Sequence, residues 1–469
     1  MADNHDIGLI AHLMRRAGFG ASREELEARA AKGYDATVEE LLNPESCEAA
    51  DEYTLLRYQP AALLPGGQPP MGNINWMFNL VNTKRPLQEK MALFWHHVFA
   101  TGNSKVDNYD QLLAQIQMFR DKGMGNYRDL LVELAQDPSM IFWLDNNENH
   151  KDAVNENWGR ELLELFSMGQ GNYTEKDVRE ASRAFTGWTF SIKIPRLPYG
   201  RFPWKFDYVA EDHDETEKEF LGHKGNFNGE DIINIVVQQP ACHRFIARHL
   251  YNFFVADEPQ VPSWKITAPR DEKAIEALTT SFKDSGFELT AMLRTLFTSD
   301  FFKNARYNKI KSPAELVVST LRMVGGAEMP RPHYGEDIAM QPTYMGQDLL
   351  NPPSVEGWHT GVEWINSGSL MSRINFAAQM VGDTSLPGVQ GIIQRIKAKG
   401  TLSPEAFVDA CLELMGPLQA GTDTREELLT QAQDGGPLRW DTDAEIKTST
   451  ARVGEMLQLI VSMREFQFN

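Results

Sequence analysis

At 469 residues, with 46 lysines and arginines against 65 aspartates and glutamates, the chain carries a formal charge of -19. That balance repels phosphate backbones and anionic lipid, so nucleic acid is not an expected partner. No apolar run approaches the ~18 residues of a membrane-spanning helix. The three cysteines, Cys47, Cys242 and Cys411, fit neither a zinc-ligand spacing nor a disulfide framework and are expected as reduced core thiols.

The chain opens with a short helix expected over residues 7–16, ending at Gly18. Arg15-Arg16 is followed by Ala-Gly-Phe-Gly-Ala-Ser-Arg-Glu-Glu instead of an apolar h-region, so it does not read as a twin-arginine export signal and a cytoplasmic address is expected. Ser22, with Glu25 at N3, starts the first of two short helices that stop at Asn43-Pro44. Residues 59–72 hold four prolines and three glycines and are expected as a loop across the surface or a cleft. Pro86 opens a helix that ends before Gly102, with Leu87, Met91, Phe94 and Val98 on one stripe. His96 lies nearly opposite, flanked by Ala92 and Phe99, and is expected to point into a second interface. Adjacent helical residues diverge by ~100°, so only one of His96 and His97 can serve a given ion.

A helix over 126–138 and a short apolar segment over 140–144 lead into a polar run and then into the stretch 155–188, NENWGRELLELFSMGQGNYTEKDVREASRAFTGW. Helical angles put Trp158, Leu162, Leu165 and Phe166 on an apolar stripe, with Asn157, Glu161 and Glu164 along an adjacent polar edge. Gly169 ends the first helix and Thr174-Glu-Lys-Asp177 caps the second, so the stretch is expected to form a helical hairpin. Beyond Trp188 the helical pattern breaks. Phe202, Trp204, Phe206 and Tyr208 alternate as in a β-ribbon and precede Glu211-Asp212-His213-Asp214.

Helices resume at Asn228-Gly-Glu-Asp231 and Pro240, then over 273–282 and 289–297, and again at Ser312-Pro-Ala-Glu315, where a cap, a first-turn proline and a capping-box acid coincide. Asn351-Pro-Pro-Ser-Val-Glu-Gly-Trp358 cannot be regular structure and reads as a functional loop before a helix over 370–380. From Gly382 three or four amphipathic helices follow, one capped by Ser403-Pro404. The expected fold is therefore all-α, with a small β-ribbon insertion around 189–222. A main domain is expected over 1–382, containing the hairpin and an irregular segment over 189–227, with a C-terminal helical segment over 383–469 packed on it.

Two readings of the hairpin edge stay open. Glu156, Arg160 and Glu164 are spaced i,i+4, as on an exposed salt-bridged face worth only ~0.3–0.5 kcal/mol per pair. Alternatively Asn157, Glu161 and Glu164 face a pocket, where the carboxylates ligate a hard cation or divide into acid and base once burial raises one of them. Helical di-metal sites want Glu-x-x-His, which this helix lacks. His213-Asp214 reads as an exposed ligand or proton-transfer pair, or as merely solvated. No His-Glu-x-x-His, Gly-x-Ser-x-Gly, phosphate-loop or dinucleotide pattern occurs.

Taken together, HLMRRAGFGAS at 12–22, LFWHHVFATG at 93–102, DPSMIFWLD at 137–145, the hairpin stretch, HDETEKEFLG at 213–222, KSPAELVVSTLR at 311–322 and MGQDLLNPPSVEGW at 345–358 make the sequence resemble the bacterial Domain of Unknown Function family 1800. The resemblance implies a largely helical fold and characteristic positions at His96, Asn155, Glu156, Asn157, Arg160, Glu161, Glu164, Asp177, His213, Asp214, Lys218 and Trp358. Many relatives look like Phe-Trp-His-x-His-Phe, where this chain has Val98 at the second histidine position. The resemblance also implies a partner, an exported sulfatase-like protein encoded nearby, through which co-export to the periplasm stays open.

The resulting expectation is a hydrolase-like enzyme with a polar, metal-assisted pocket. Glu161, Glu164, His213 and Asp214 supply acid–base groups and Arg160 orients a carboxylate or anionic substrate. Asn155, Asn157, Lys218, Trp188 and Trp358 contact substrate, and His96 with Glu161 binds a divalent metal ion. The competing expectation is a non-catalytic binding or maturation partner in which the same residues form a closed structural network.

Overall fold

A computed structural model describes residues 4–60, 71–191, 204–327 and 334–469. Among them the chain forms 25 α-helices and two two-stranded antiparallel sheets, so the fold is mainly helical with a small β insertion. No helix among the described residues is long and apolar enough to cross a membrane.

Many helices begin where the sequence supplies a cap. Ser22 accepts from the Glu25 amide, and reciprocal capping boxes form at Thr174/Asp177, Asn228/Asp231 and Ser312/Glu315. The expected ribbon pairs Trp188–Ser191 with Lys205–Tyr208 in the register Trp188 to Tyr208. Phe202 lies outside the described residues, as does most of the proline-rich loop expected over 59–72.

The end of that loop is corrected. Met71 and Gly72 open a helix, Met71–Asn82, in which every residue from Gly72 to Val81 is buried. A helix enclosed on all sides shows no apolar stripe, because no face of it has to be polar. Its asparagines are accommodated both locally, with Asn79 Nδ2 donating to the Asn75 carbonyl at 3.0 Å, and at a distance, with Asn82 Nδ2 donating to the Ala327 carbonyl at 3.2 Å. Beside it, the Pro86–Val98 helix is buried everywhere except at His97.

The Pro86–Val98 helix is held by charge as well as by packing. The Lys90 ammonium is fully buried, donates to the Gly18 carbonyl at 2.9 Å and pairs with Glu315 of the Pro313–Val324 helix. Glu315 also accepts from the Ser312 amide at 2.7 Å and from Asn469 Nδ2 at 3.2 Å, so one carboxylate joins three distant parts of the chain.

The first helix, Asn4–Arg16, is stitched to residues far along the chain. His12 Nε2 lies 2.9 Å from the Phe302 carbonyl, Arg16 donates to Val255 and Ala305 at 3.0 and 2.9 Å, and Arg15 donates to Gly416 at 2.8 Å across 401 residues. Four helices from Pro387 to Ser462 form the C-terminal part, and Arg395 pairs with Glu24 and Glu27 near the start of the chain. All three thiols are free, with Cys242 and Cys411 buried and Cys47 half-buried.

Candidate functional site

The hairpin is present, with its first helix shorter than expected. It runs Asn157–Glu164, and the amides of Leu165 and Phe166 both donate to the Glu161 carbonyl at 3.0 Å, tightening the chain before Gly169 at φ +78°. Trp158, Leu162, Leu165 and Phe166 are buried as the stripe required. The two helices touch at Gly159, where a Cβ would stand 2.2 Å from Ser182 Oγ. Only glycine permits that approach.

The polar edge divides by side chain. Arg160 turns across the hairpin to Glu175, at 2.7 and 3.0 Å, and keeps Glu156 at 3.4 Å. The expected pairing with Glu164 does not form, and a guanidinium already engaged by two carboxylates is a poor receptor for a third. Glu164 instead accepts from the Tyr173 hydroxyl at 3.0 Å and from Gln170 Nε2 at 2.5 Å. Asn155 and Asn157 brace the helix start: Asn155 Oδ1 accepts from the Asn157 amide at 3.0 Å, and Asn157 Nδ2 reaches Asp145 at 3.4 Å.

Glu161 differs from its neighbours. Its half-buried carboxylate has no hydrogen-bond or ion-pair partner among the described residues. Burial, reinforced by the negative charges of Glu164 and Glu356, pushes it up to about 7, while Arg160 opposes the shift. Glu356 belongs to the irregular 351–358 loop, which the structure thus brings to the hairpin.

The same loop covers the end of the Pro86–Val98 helix. Gly357, at φ +80°, lies so close that a Cβ would stand 2.3 Å from the His97 carbonyl oxygen. Trp358 stacks on His97 with centroids 6.2 Å apart and meets His96 edge-on at 5.5 Å. Its indole N–H and both His96 ring nitrogens are buried without partners among the described residues. His96 is sealed between Trp76 and Trp358, and burial lowers it to about 3, so it stays neutral.

The histidine that reaches open space is His97. It lines a cavity of about 20 Å3 with Lys309, Gln347, Trp358 and Thr360, room for about one water. Burial, then the charges of Lys309 and His359, lower His97 to about 4. His249, also buried and with Nε2 unpartnered, lies near enough for His97 to depress it further. The second interface expected for His96 is present, formed by Trp76 and Trp358, and it closes His96 off while His97 stays in reach of the cavity. The ~100° offset between neighbours was the available signal, but it could not say which side would be sealed.

His213, Asp214 and Lys218 form a separate, closed cluster, which corrects the expectation of an exposed pair. His213 is buried, with Nδ1 2.9 Å from the Thr186 carbonyl oxygen. Asp214 accepts from Arg183 Nε at 2.8 Å and from the Thr216 amide at 2.9 Å, and Arg183 is also held by Glu180 at 2.8 Å. Burial alone raises the Asp214 carboxyl, yet the bonds from Arg183 and Thr216 hold it far below the usual carboxylate range. Lys218 is buried and donates to the carbonyls of Asp214 and Thr216. Trp188 donates to Asn228 Oδ1 at 2.8 Å and packs edge-on against Phe185 and Phe206, as an anchor of the ribbon.

Asp214→Asn is expected to destabilise the fold by roughly 2–3 kcal/mol, because Arg183 loses a partner in a site with little solvent. Chemical denaturation at pH 7 checks the value. The stability lost is present above the carboxylate's unfolded value and disappears for wild type as pH falls through its depressed folded value.

Among the described residues no three His, Cys, Asp or Glu side chains are grouped to hold a metal ion. Of the two residues expected to hold a metal, His96 is enclosed by Trp76 and Trp358, and Glu161 stands on the hairpin.

The sequence model of the family described as protein of unknown function (DUF1800) matches residues 12–468 of the 469. The chain belongs to this family. Within the DUF1800 match fall all the groups described above, from His97 and the hairpin to the 351–358 loop. No curated protein and no solved structure matches the chain.

Proposed function

We propose that this DUF1800 protein is a hydrolase-like enzyme whose acid–base group is Glu161. The observation that carries the reading is an unpartnered, half-buried carboxylate shifted to about 7 beside a second carboxylate that is held in place. A group titrating there is present in both protonation states near neutral pH, the condition that favours proton transfer in either direction. Glu164, fixed by Tyr173 and Gln170, supplies the charge that keeps its neighbour's proton on. The 351–358 loop contributes Glu356 to the same field and closes over the neutral His97.

In this reading Glu161 takes a proton from an attacking water, or gives one to a leaving group. Released chromophore from p-nitrophenyl esters, phosphates and glycosides tests it, with wild type and Glu161→Gln compared from pH 5 to 9. Turnover with a pH limb near 7 that vanishes in the variant supports the assignment. Turnover unchanged by the substitution rejects it.

A second reading is favoured by the closed His213–Asp214–Lys218 cluster: a binding or maturation partner of an exported sulfatase-like protein, in which fixed polar residues shape a surface. It predicts co-purification with such a partner that survives Glu161→Gln and is lost in Asp214→Asn.

A further inference from the structure

A cavity of about 320 Å3 lies between the first helices and the C-terminal ones, and none of its lining residues comes from the hairpin or the 351–358 loop. Its ionisable lining consists of Arg15, Arg23, Lys311, Arg322 and Arg395 against one acid, Glu24. Five cations around one space is the reverse of the balance in a chain of net charge -19.

Three of the five are already neutralised. Arg23 pairs with Glu27 and Glu413, Arg322 with Glu25, and Arg395 with Glu24 and Glu27. Arg15 and Lys311 have no carboxylate partner among the described residues. Arg15 is 9% exposed, gives one bond to the Gly416 carbonyl, and leaves its Nε buried and unpartnered. Lys311 is 2% exposed and, among the described residues, donates only to the Phe466 carbonyl, at 2.8 Å, with its ammonium 4.1 Å from the Phe466 ring centroid. Behind them Arg373 leaves Nη1 buried and unpartnered, and its other bonds go to Gln467 and to the Lys311 carbonyl. Buried cations facing a cavity without counter-charge carry a large desolvation cost that an anion would offset.

We propose that this cavity binds a small oxyanion, a phosphate or carboxylate group carried on a small molecule, through Arg15 and Lys311. The volume matches small-molecule sites, and the apolar remainder of the lining, including Met323 and Ile392, accommodates a short carbon body. An extended polyanion does not suit a strongly negative protein. Burial, then the charges of Arg15 and Arg373, lower the Lys311 ammonium well below its ordinary range while Glu315 opposes them; a bound anion would shift it back up.

The test is thermal unfolding at constant ionic strength with inorganic phosphate, citrate or chloride, followed by calorimetric titration of whichever anion responds. Wild type is compared with Arg15→Gln, Gly391→Glu and the remote control Arg244→Gln. Gly391 lines the cavity, and a Cβ there meets no atom within 4 Å, so a glutamate can enter without clash and offer its own carboxylate. The expected result is a saturable rise in Tm with phosphate or citrate but not chloride, the responding anion identifying the ligand group. Arg15→Gln should weaken binding about tenfold or more, and Gly391→Glu should melt higher without ligand and lose the response. A rise that never saturates and is equal in all four proteins is a general salting effect and overturns the proposal, as does no response to any anion. If Arg15→Gln does not fold, Gly391→Glu against wild type decides the matter.

Discussion

Glu161→Gln is expected to make the protein more stable at pH 8 while removing its activity. The folded carboxyl titrates near 7, against about 4.5 for the same group in an unfolded chain. The folded state thus binds the proton more tightly, and wild type loses stability as pH rises from about 4.5 through 7. Glutamine has the shape of the protonated acid and pays no such penalty. The gain is about 1–2 kcal/mol above pH 7, less than the full shift implies because the carboxylate keeps some contact with water, and it shrinks to nothing near pH 4. Loss of an acid–base group lowers turnover about 100- to 10,000-fold. Parallel melts at pH 5 and pH 8 check the sign. If the variant melts lower at pH 8, Glu161 is holding a buried partner and the acid–base assignment is wrong.

Glu315→Gln should produce the largest loss of stability, about 3–5 kcal/mol at pH 7. The carboxylate faces Lys90 at a point where both side chains are almost completely out of solvent, and its other oxygen caps the Pro313–Val324 helix. Burial alone raises its pKa, yet the charges of Lys90 and Lys309 hold it at about 2. Its contribution is therefore complete above about 4.5 and is lost as pH falls toward 2. Glutamine keeps the cap but leaves the Lys90 ammonium unpaired in the core. Urea unfolding at pH 7 reads the effect, and the double change Lys90→Met/Glu315→Gln should recover part of it by removing the stranded charge. No recovery would mean that the pair acts through shape and not through charge.

How legible these features were in the sequence depends on how local they are. The capping boxes at Thr174/Asp177, Asn228/Asp231 and Ser312/Glu315 form within four residues and were readable. So were the ribbon and the apolar stripe of the hairpin. The Met71–Asn82 helix was hidden because complete enclosure erases the periodicity by which helices are found. The same enclosure misdirected the choice between His96 and His97. Spacing placed Glu161 and Glu164 on one edge but could not show that Tyr173 and Gln170 would take Glu164, or that Arg160 would turn to Glu175. His213 and Asp214 looked exposed because their acidic neighbours are; the arginine that encloses them, Arg183, stands 31 residues away from Asp214. For Asp214 the missing information was the identity of a distant partner.

The bonds of the first helix to residues 302, 305 and 416 have a kinetic consequence. During synthesis its apolar face, including Ile10, Leu13 and Met14, can meet the neighbouring Arg23–Lys32 and Tyr34–Leu42 helices early, but the carbonyls of residues 302, 305 and 416 do not yet exist. Closing so long a loop is slow, because its entropy is lost before any contact repays it. The nascent chain must therefore keep His12, Arg15 and Arg16, and the part of the segment they anchor, out of misassembly for most of the time the ribosome needs to finish it. Folding assistance should accordingly act on the N-terminal segment, although the contacts that end the need for it are made by the other end of the chain.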